Sequence, residues 1–216
     1  MNRQDEWGRT HVLDILGGCA MVVDPQVPHL GGNIRGGDQS TDFSKCLWPW
    51  LVKKYAIKSL LDVGCAEGHA LRAFAALGVP RVLGVDGLWQ NARRCEVPVI
   101  AHDLTKGPLR IEGIDFIWCC DTVEHIGEEF VPNVIATFAC AKTVALIHGD
   151  ETTATNGWHH VNNKNPEYWD EKMLAGGFTI DVAGTTEGKT VSTLGLWPTA
   201  GRIYVNGRWP REWPPL

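Results

Sequence analysis

An open α/β fold, with a predominantly parallel sheet covered by helices on both faces, is predicted by three observations. Short apolar runs alternate with helical stripes between residues 59 and 148. The runs are short and mostly apolar, as in Ile114 to Cys120, which is the pattern expected of strands buried on both faces. The first run, Ser59 to Val63, ends in a turn of small residues, Gly64-Cys65-Ala66-Glu67-Gly68. An open α/β sheet binds ligands at the carboxyl ends of its strands, where such a turn sits.

Taken in order, residues 1 to about 40 carry no periodic element. Pro25, Pro28 and the stretch Gly31-Gly32-Asn33-Ile34-Arg35-Gly36-Gly37-Asp38 read as loop, so an irregular segment is expected to precede a domain spanning residues 41–216. From Thr41, Phe43, Leu47, Trp50 and Leu51 fall near helical spacing and Lys53-Lys54 close the segment; Pro49 predicts a late start or a kink. After the first strand, Ala70 to Leu77 is a helical stripe stopped by Gly78 and Pro80. Arg81 to Val85 is a second strand, Leu88 to Arg94 a short helix, Val97 to Ala101 a third strand and Ile114 to Cys120 a fourth. Glu128 to Ala141 reads as a helix with Phe130, Val134, Ile135 and Phe138 on one side, and Thr143 to His148 as a fifth strand. A polar loop leads to a helix from Pro166 to Ala175 closed by Gly176-Gly177, then to strands at Phe178 to Val182 and Arg202 to Val205.

The bulk composition narrows the function classes. A formal charge of -5, with Lys and Arg only in small groups such as Arg93-Arg94, makes a nucleic-acid partner an unlikely first choice, because such binders carry a basic patch. The 7 cysteines are odd in number and lack CxxC spacing, which fits reduced thiols in a cytoplasmic protein better than a disulfide framework. No apolar stretch is long enough to span a bilayer, so no membrane partner is expected. Of the 10 tryptophans, Trp7, Trp197, Trp209 and Trp213 lie near the end segments, where packing onto the domain explains them.

The turn after the first strand constrains the cofactor. A dinucleotide fingerprint needs G-x-G-x-x-G, but from Gly64 onward Ala66 and His69 occupy the second and third glycine positions. Asp62 and Glu67 would repel a pyrophosphate and welcome a cation. The sequence here resembles the class I S-adenosylmethionine-dependent methyltransferases, whose first motif reads roughly D-x-G-x-G-x-G; Asp62, Gly64 and Gly68 match it and Ala66 replaces the middle glycine. Further markers follow in register: Val85-Asp86-Gly87, His102-Asp103-Leu104, Asp121-Thr122-Val123-Glu124-His125-Ile126, and the late helix from Tyr168 to Gly176-Gly177-Phe178. The resemblance covers about residues 45 to 182 and continues more weakly to 206.

The resemblance implies a Rossmann-like fold with a seven-stranded, mostly parallel sheet and a C-terminal antiparallel hairpin. It implies S-adenosyl-L-methionine as cofactor, held by Asp62, Gly64, Cys65, Ala66, Gly68, Asp86, Gly87, Leu88, Asp103, Leu104 and Asp121. Asp86 would accept the ribose hydroxyls and Asp103 would lie near the adenine amino group. Each residue also has a purely structural reading: Gly64 and Gly68 permit tight strand–helix packing, Asp86 caps the next helix, and Asp103 forms a turn with Thr105 and Gly107.

The expected reaction is methyl transfer to a small molecule or sugar, at oxygen. Asp121, Glu124, His125, His148, His159 and His160 are the candidate bases, and His125 and His159 are the two assigned to catalysis. Asp121-x-x-Glu124-His125 is similar to the Glu-x-x-Glu-His of metal-dependent ubiquinone-pathway O-methyltransferases and of small-RNA terminal-ribose methyltransferases, the latter adding a downstream histidine. That likeness implies a divalent ion on Asp121, Glu124, His125 and His160. Short acidic-histidine runs are weak metal signals without a fixed ligand count, so pocket shaping without metal is the preferred reading. A metal-assisted RNA ribose methyltransferase and a non-catalytic cofactor-binding module are the alternatives. Residues 31 to 42, with Trp89 and Gly157-Trp158, are candidates for a lid over the site.

Overall fold

The computed structural model describes residues 3–4, 10–13, 20–24, 26–34, 44–151, 158–192 and 197–209. The chain opens with four short strands, β1 (Arg3–Gln4), β2 (Thr10–Leu13), β3 (Ala20–Val23) and β4 (Gly31–Ile34), which form an antiparallel sheet in sequence order. The expectation of loop here is thus replaced, at these positions, by strands. Gly31 and Gly32, at φ 97° and 98°, enter a strand that a composition argument assigns to a turn. Thr41 to Phe43, at the start of the predicted first helix, lie outside the described residues.

Next come α1 (Ser44–Tyr55), β5 (Ser59–Val63), α2 (His69–Ala76), β6 (Arg81–Asp86), α3 (Trp89–Arg94), β7 (Val99–Ala101) and β8 (Ile114–Cys120). They are followed by α4 (Val131–Phe138), β9 (Ala141–Ile147), α5 (Pro166–Ala175), β10 (Phe178–Ile180), α6 (Val182–Val191), α7 (Trp197–Ala200) and β11 (Arg202–Asn206). Pro49 is carried inside α1. The predicted helix from Glu128 splits into a 3-10 turn, Glu128–Phe130, and α4, with Pro132 in the first helical turn, where its missing N–H costs nothing.

The main sheet has seven strands in the order β10-β11-β9-β8-β5-β6-β7. Strands β9, β8, β5, β6 and β7 run parallel, while β11 is antiparallel to both of its neighbours. The predicted C-terminal hairpin is therefore an antiparallel pair, but α6 and α7 are inserted between its strands. Each central strand feeds both faces. Leu61, Ile117 and Cys119 enter a core with Phe138, Trp169 and Phe178, whereas Leu60, Phe116 and Trp118 enter one with Leu47, Phe74 and Trp197. Trp118 stacks on Trp197 at 6.2 Å and meets Trp48 edge-on at 5.7 Å, so one of the terminal tryptophans is indeed core. Trp7 and Trp213 lie outside the described residues.

Central β5 has β6 on one side and β8 on the other, and the chain crosses over between them. The crevice at the carboxyl end of β5 is where this topology places a ligand.

Candidate active site

The turn leaving β5 is held by backbone bonds to the neighbouring strand: Gly64 N–H and Cys65 N–H both donate to the Val85 carbonyl, at 2.9 and 3.1 Å. Gly64 has φ 77°, and a β-carbon there would collide with the Thr122 side chain. Gly68 has φ 78°, and its β-carbon would stand 2.8 Å from Cys95 Sγ. Ala66, in place of the motif's middle glycine, also adopts a left-handed conformation, φ 47°, at a cost of about 1 kcal/mol. Glu67 does not face a ligand alone, because Arg94 Nη1 lies 3.3 Å from its Oε1. The loop's negative character toward a ligand rests instead on Asp62 and Asp86.

Both of these acids are buried. Burial, reinforced by the Asp86 charge, holds the Asp62 carboxyl well above the usual carboxylate range. Burial also raises Asp86, against three hydrogen bonds that favour its charged form. Its Oδ1 accepts from Leu88 N–H at 2.8 Å and Asn91 Nδ2 at 3.1 Å; its Oδ2 accepts from Ala66 N–H at 2.9 Å. Asp86 therefore clamps the glycine turn to the start of α3. It is a loop organiser as well as the expected ribose acceptor, with one lone pair in this set still unused.

Asp103 follows β7 and caps a 3-10 turn through Thr105, whose N–H and Oγ1 donate to Oδ1 at 2.8 and 2.7 Å. Its other oxygen meets His29 Nε2 at 3.0 Å. Burial pushes the Asp103 carboxyl up, but the contacts with His29 and Thr105 outweigh it and hold the group below its ordinary value. Around His29, Leu30 packs against Gly87, and Pro28 accepts a hydrogen bond from Trp158 Nε1 at 2.8 Å. A β-carbon on Gly32 would lie 3.3 Å from His125 Cε1. Residues 28–32 thus run along the carboxyl ends of β7, β6 and β8. Nothing in the sequence marks His29 for this contact.

The other half of the site follows β8 and β9. Asp121 has φ 49° and is exposed, and the next residues form a 3-10 turn, Val123–His125. The Glu124 carbonyl accepts from Val161 and Asn162 N–H, both at 3.0 Å, and its Oε1 from Gly149 N–H at 2.8 Å. These bonds tie the segment after β9 onto the turn after β8. His159 Nδ1 lies 3.3 Å from the His125 carbonyl, and the His125 and His160 rings meet edge-on at 4.8 Å. One ligand atom from each of Glu124, His125 and His160 lies within 4.8 Å of the others. Asp121, the fourth predicted metal ligand, is not in that convergent group.

Several polar atoms here have no partner. Glu124 Oε2, His125 Nδ1, His148 Nε2 and both side-chain polar atoms of Asn162 are buried and unpaired. Burial, then the Asp121 charge, pushes the Glu124 carboxyl up to about 8. Burial and the neighbouring His160 hold the His125 imidazole down to about 4, and burial lowers His148 too. Burial thus favours the uncharged forms of Glu124, His125 and His148.

A family profile described as a methyltransferase domain matches residues 61–145, which carry the glycine turn, Asp86, Asp103 and the Glu124-His125 turn. The match covers less than half of the 216 residues, and over it the chain is similar to methyltransferase domains. Solved structures agree on the fold at low identity. The sugar N-methyltransferase KedS8 from Streptoalloteichus sp. ATCC 53650 superposes with a TM-score of 0.59 at 14% identity, covering 80% of this chain and 89% of its own. The plantazolicin methyltransferase BpumL, solved with a triazolic desmethyl-plantazolicin analogue and S-adenosylhomocysteine, gives 0.57 at 12% identity, with 79% and 87% covered. The methyltransferase domain of a bacterial Hen1, CtHen1-CN, gives 0.55 at 14% identity, with 75% and 97% covered. No curated protein matches the sequence.

In this fold, the predicted cofactor residues Asp62, Gly64, Cys65, Ala66, Gly68, Asp86, Gly87, Leu88, Asp103 and Leu104 all fall on β5, β6, or the turns after β5, β6 and β7. The site fits a cationic adenosyl ligand. Two glycines hold positive φ where the backbone must come close, and two buried carboxyls with raised proton affinity regain their charge most readily beside a cation. Sequence reasoning missed His29 and Asn162. Neither lies in a motif, and only tertiary contact brings them to the site. No helix among the described residues is long and apolar enough to cross a membrane.

Proposed function

We propose that this protein is a methyltransferase that moves the methyl group of S-adenosylmethionine to a hydroxyl oxygen of a small molecule or sugar. Asp62 and the turn Gly64–Gly68 would hold the cationic part of the cofactor, Asp86 and Leu88 its ribose, and Asp103 and Leu104 its adenine; Asp121 borders the transfer site. The cofactor supplies a methyl group on a sulfonium, activated for direct displacement. The chain's own task is to align the acceptor and manage its proton.

The observation that carries this reading is the unpaired, buried pair His125 Nδ1 and Glu124 Oε2 at the end of β8. A neutral imidazole offers a lone pair to the acceptor hydroxyl, and Glu124 fixes the turn through Gly149 and the Val161 and Asn162 amides. His159, whose Nδ1 already contacts the His125 carbonyl, serves as the second base candidate. Residues 28–32 act as a lid, latched through His29 to Asp103 and through Pro28 to Trp158. We place the reaction in the cytoplasm, which fits the free state of the six described cysteines.

A second reading is favoured by the convergence of Glu124, His125 and His160. These three would hold a divalent cation that polarises the acceptor hydroxyl, as a ribose terminus of RNA would also require. Two imidazoles and one carboxylate suit a borderline cation such as zinc.

Methyl transfer from labelled S-adenosylmethionine to a panel of sugars, phenols and short RNA, with and without chelator, tests both. Labelled sugar or small molecule in the presence of chelator supports the first reading; labelled RNA only with added divalent ion supports the second. Cofactor binding with no labelled product across the panel would leave a binding module. Unchanged turnover in both His125→Ala and His159→Ala would remove these histidines from the mechanism.

A further inference from the structure

Two cysteines converge on the cofactor turn from different parts of the sequence. Cys65, inside the turn, places Sγ 3.7 Å from the Ala66 carbonyl oxygen; Cys95, just after α3, places Sγ 3.5 Å from the same oxygen. The two thiols lie close enough that each shifts the other's proton affinity. We infer that Cys65 and Cys95 form a dithiol site that low-molecular-weight disulfides oxidise to a cross-link across the cofactor turn. The inference rests on the assignment of that turn to S-adenosylmethionine for its consequence, though not for its sulfur chemistry.

The two sulfurs differ in a way that orders the steps. Cys65 is 5% exposed, walled in by Gly84 and Leu71, whereas Cys95 is partly exposed. The neighbouring Cys65 thiol favours the Cys95 thiolate against the opposing effect of burial, and the Arg72 guanidinium adds to it, so the Cys95 thiol lies below its ordinary value. The Cys65 thiol, beside Cys95 and buried, is raised. Cys95 is the attacking thiolate and Cys65 the resolving one.

The chemistry balances without further reactants. Cys95 thiolate attacks one sulfur of a disulfide RSSR, forming a mixed disulfide and expelling RS⁻, which takes up a proton. Cys65 then loses its proton to solvent, and its thiolate attacks Cys95 Sγ. The Cys65–Cys95 bond forms, the second RS⁻ leaves and is protonated, and RSSR has been reduced to two RSH while the protein has lost two hydrogens.

The structural consequence falls on Ala66. Its carbonyl oxygen loses the contacts that both sulfurs make with it, and the sulfurs must close to about 2.05 Å. Cys65 Sγ is packed in the core and Cys95 Sγ lies beside Gly68, so drawing the two together moves the turn residues next to them. The Ala66 N–H bond to Asp86 is strained by the same shift, which links the cross-link to the ribose position.

The test exposes the full chain to glutathione buffers of increasing oxidised fraction, followed by peptide mapping without reduction and calorimetry with S-adenosylmethionine. The expected result is a Cys65–Cys95 linked peptide and an affinity lowered about tenfold, ~1.4 kcal/mol, restored by reduction. Cys46→Ser, which removes an exposed thiol away from the turn, should respond identically. Cys95→Ser should yield no link and the same affinity in oxidising as in reducing buffer. Absence of the linked peptide, glutathione remaining on Cys95, or a link with unchanged affinity would each overturn the inference. A reduced protein that ignores S-adenosylmethionine overturns the cofactor assignment instead, while the linked peptide still decides the sulfur chemistry.

Discussion

The two halves of the crevice spend their polar groups differently. On the cofactor side, Asp86 and Asp103 already receive hydrogen bonds from Ala66, Leu88, Asn91, Thr105 and His29, and the turn is pinned to Val85. On the acceptor side, Glu124 Oε2, His125 Nδ1, His148 Nε2 and the Asn162 amide are buried with no partner. Leaving such atoms unpaired costs about 1–3 kcal/mol each, so the acceptor side stores binding capacity that a hydroxylic substrate or an ion would take up. The cofactor side is assembled by the chain itself. The acceptor side is finished by its ligand.

The largest test of that contrast is Gly64→Ala, whose methyl group collides with Thr122 in a left-handed backbone. S-adenosylmethionine affinity should fall by about a hundredfold or more, ~2.7 kcal/mol, in calorimetry. Survival of binding within threefold would show that the turn is looser than its contacts require. On the other side, His125→Ala should lower kcat by about a hundredfold while leaving cofactor affinity within threefold. A matching loss of cofactor affinity would erase the division between the halves.

Asp62→Asn should separate stability from binding. Because the folded-state carboxyl is raised, its burial weakens the fold as pH climbs above the ordinary carboxylate range, and the loss is complete once pH passes the folded value. The amide should therefore melt higher than the parent at pH 7, with the difference vanishing toward pH 3, and bind the cation about tenfold more weakly. A parent that melts higher at pH 7 would reverse the sign. The smallest effect is expected from Ala66→Gly, which relieves a positive φ and should raise stability by about 0.5 kcal/mol in urea unfolding.

Most of the parallel sheet was legible in the amino acids. Ile114–Cys120 and Pro166–Ala175 have the predicted bounds, because a short run of mostly apolar residues and a proline-initiated, glycine-ended helix are local signals. The N-terminal strands were not, since their register comes from pairing with one another: Val22 opposes both His11 and Asn33. α6, Val182–Val191, was missed for a related reason. Its two glycines, Gly184 and Gly188, lower helix propensity but let it pack against Tyr55 and Trp197.

The site divides along the same line. Asp62, Gly64, Gly68, Asp86 and Asp103 were proposed from spacing, because a turn that must bring backbone close to a ligand needs small residues at set positions after a strand, and the fold brings them to the carboxyl ends of β5, β6 and β7. Glu124, His125 and His160 were proposed together from the likeness, and the segment that carries His160 to the other two is zipped onto them by the Val161 and Asn162 amides. What the amino acids determined alone was the sheet and the cofactor turn, since both depend on near neighbours in the chain. Only the folded chain decided that His29 would latch Asp103, that Asn162 would sit unpaired beside the acceptor end, and that Cys95 would meet Cys65. Those pairings span 74, 38 (from Glu124) and 30 positions respectively, and contacts at such separations are set by how strands and crossovers stack rather than by any local pattern.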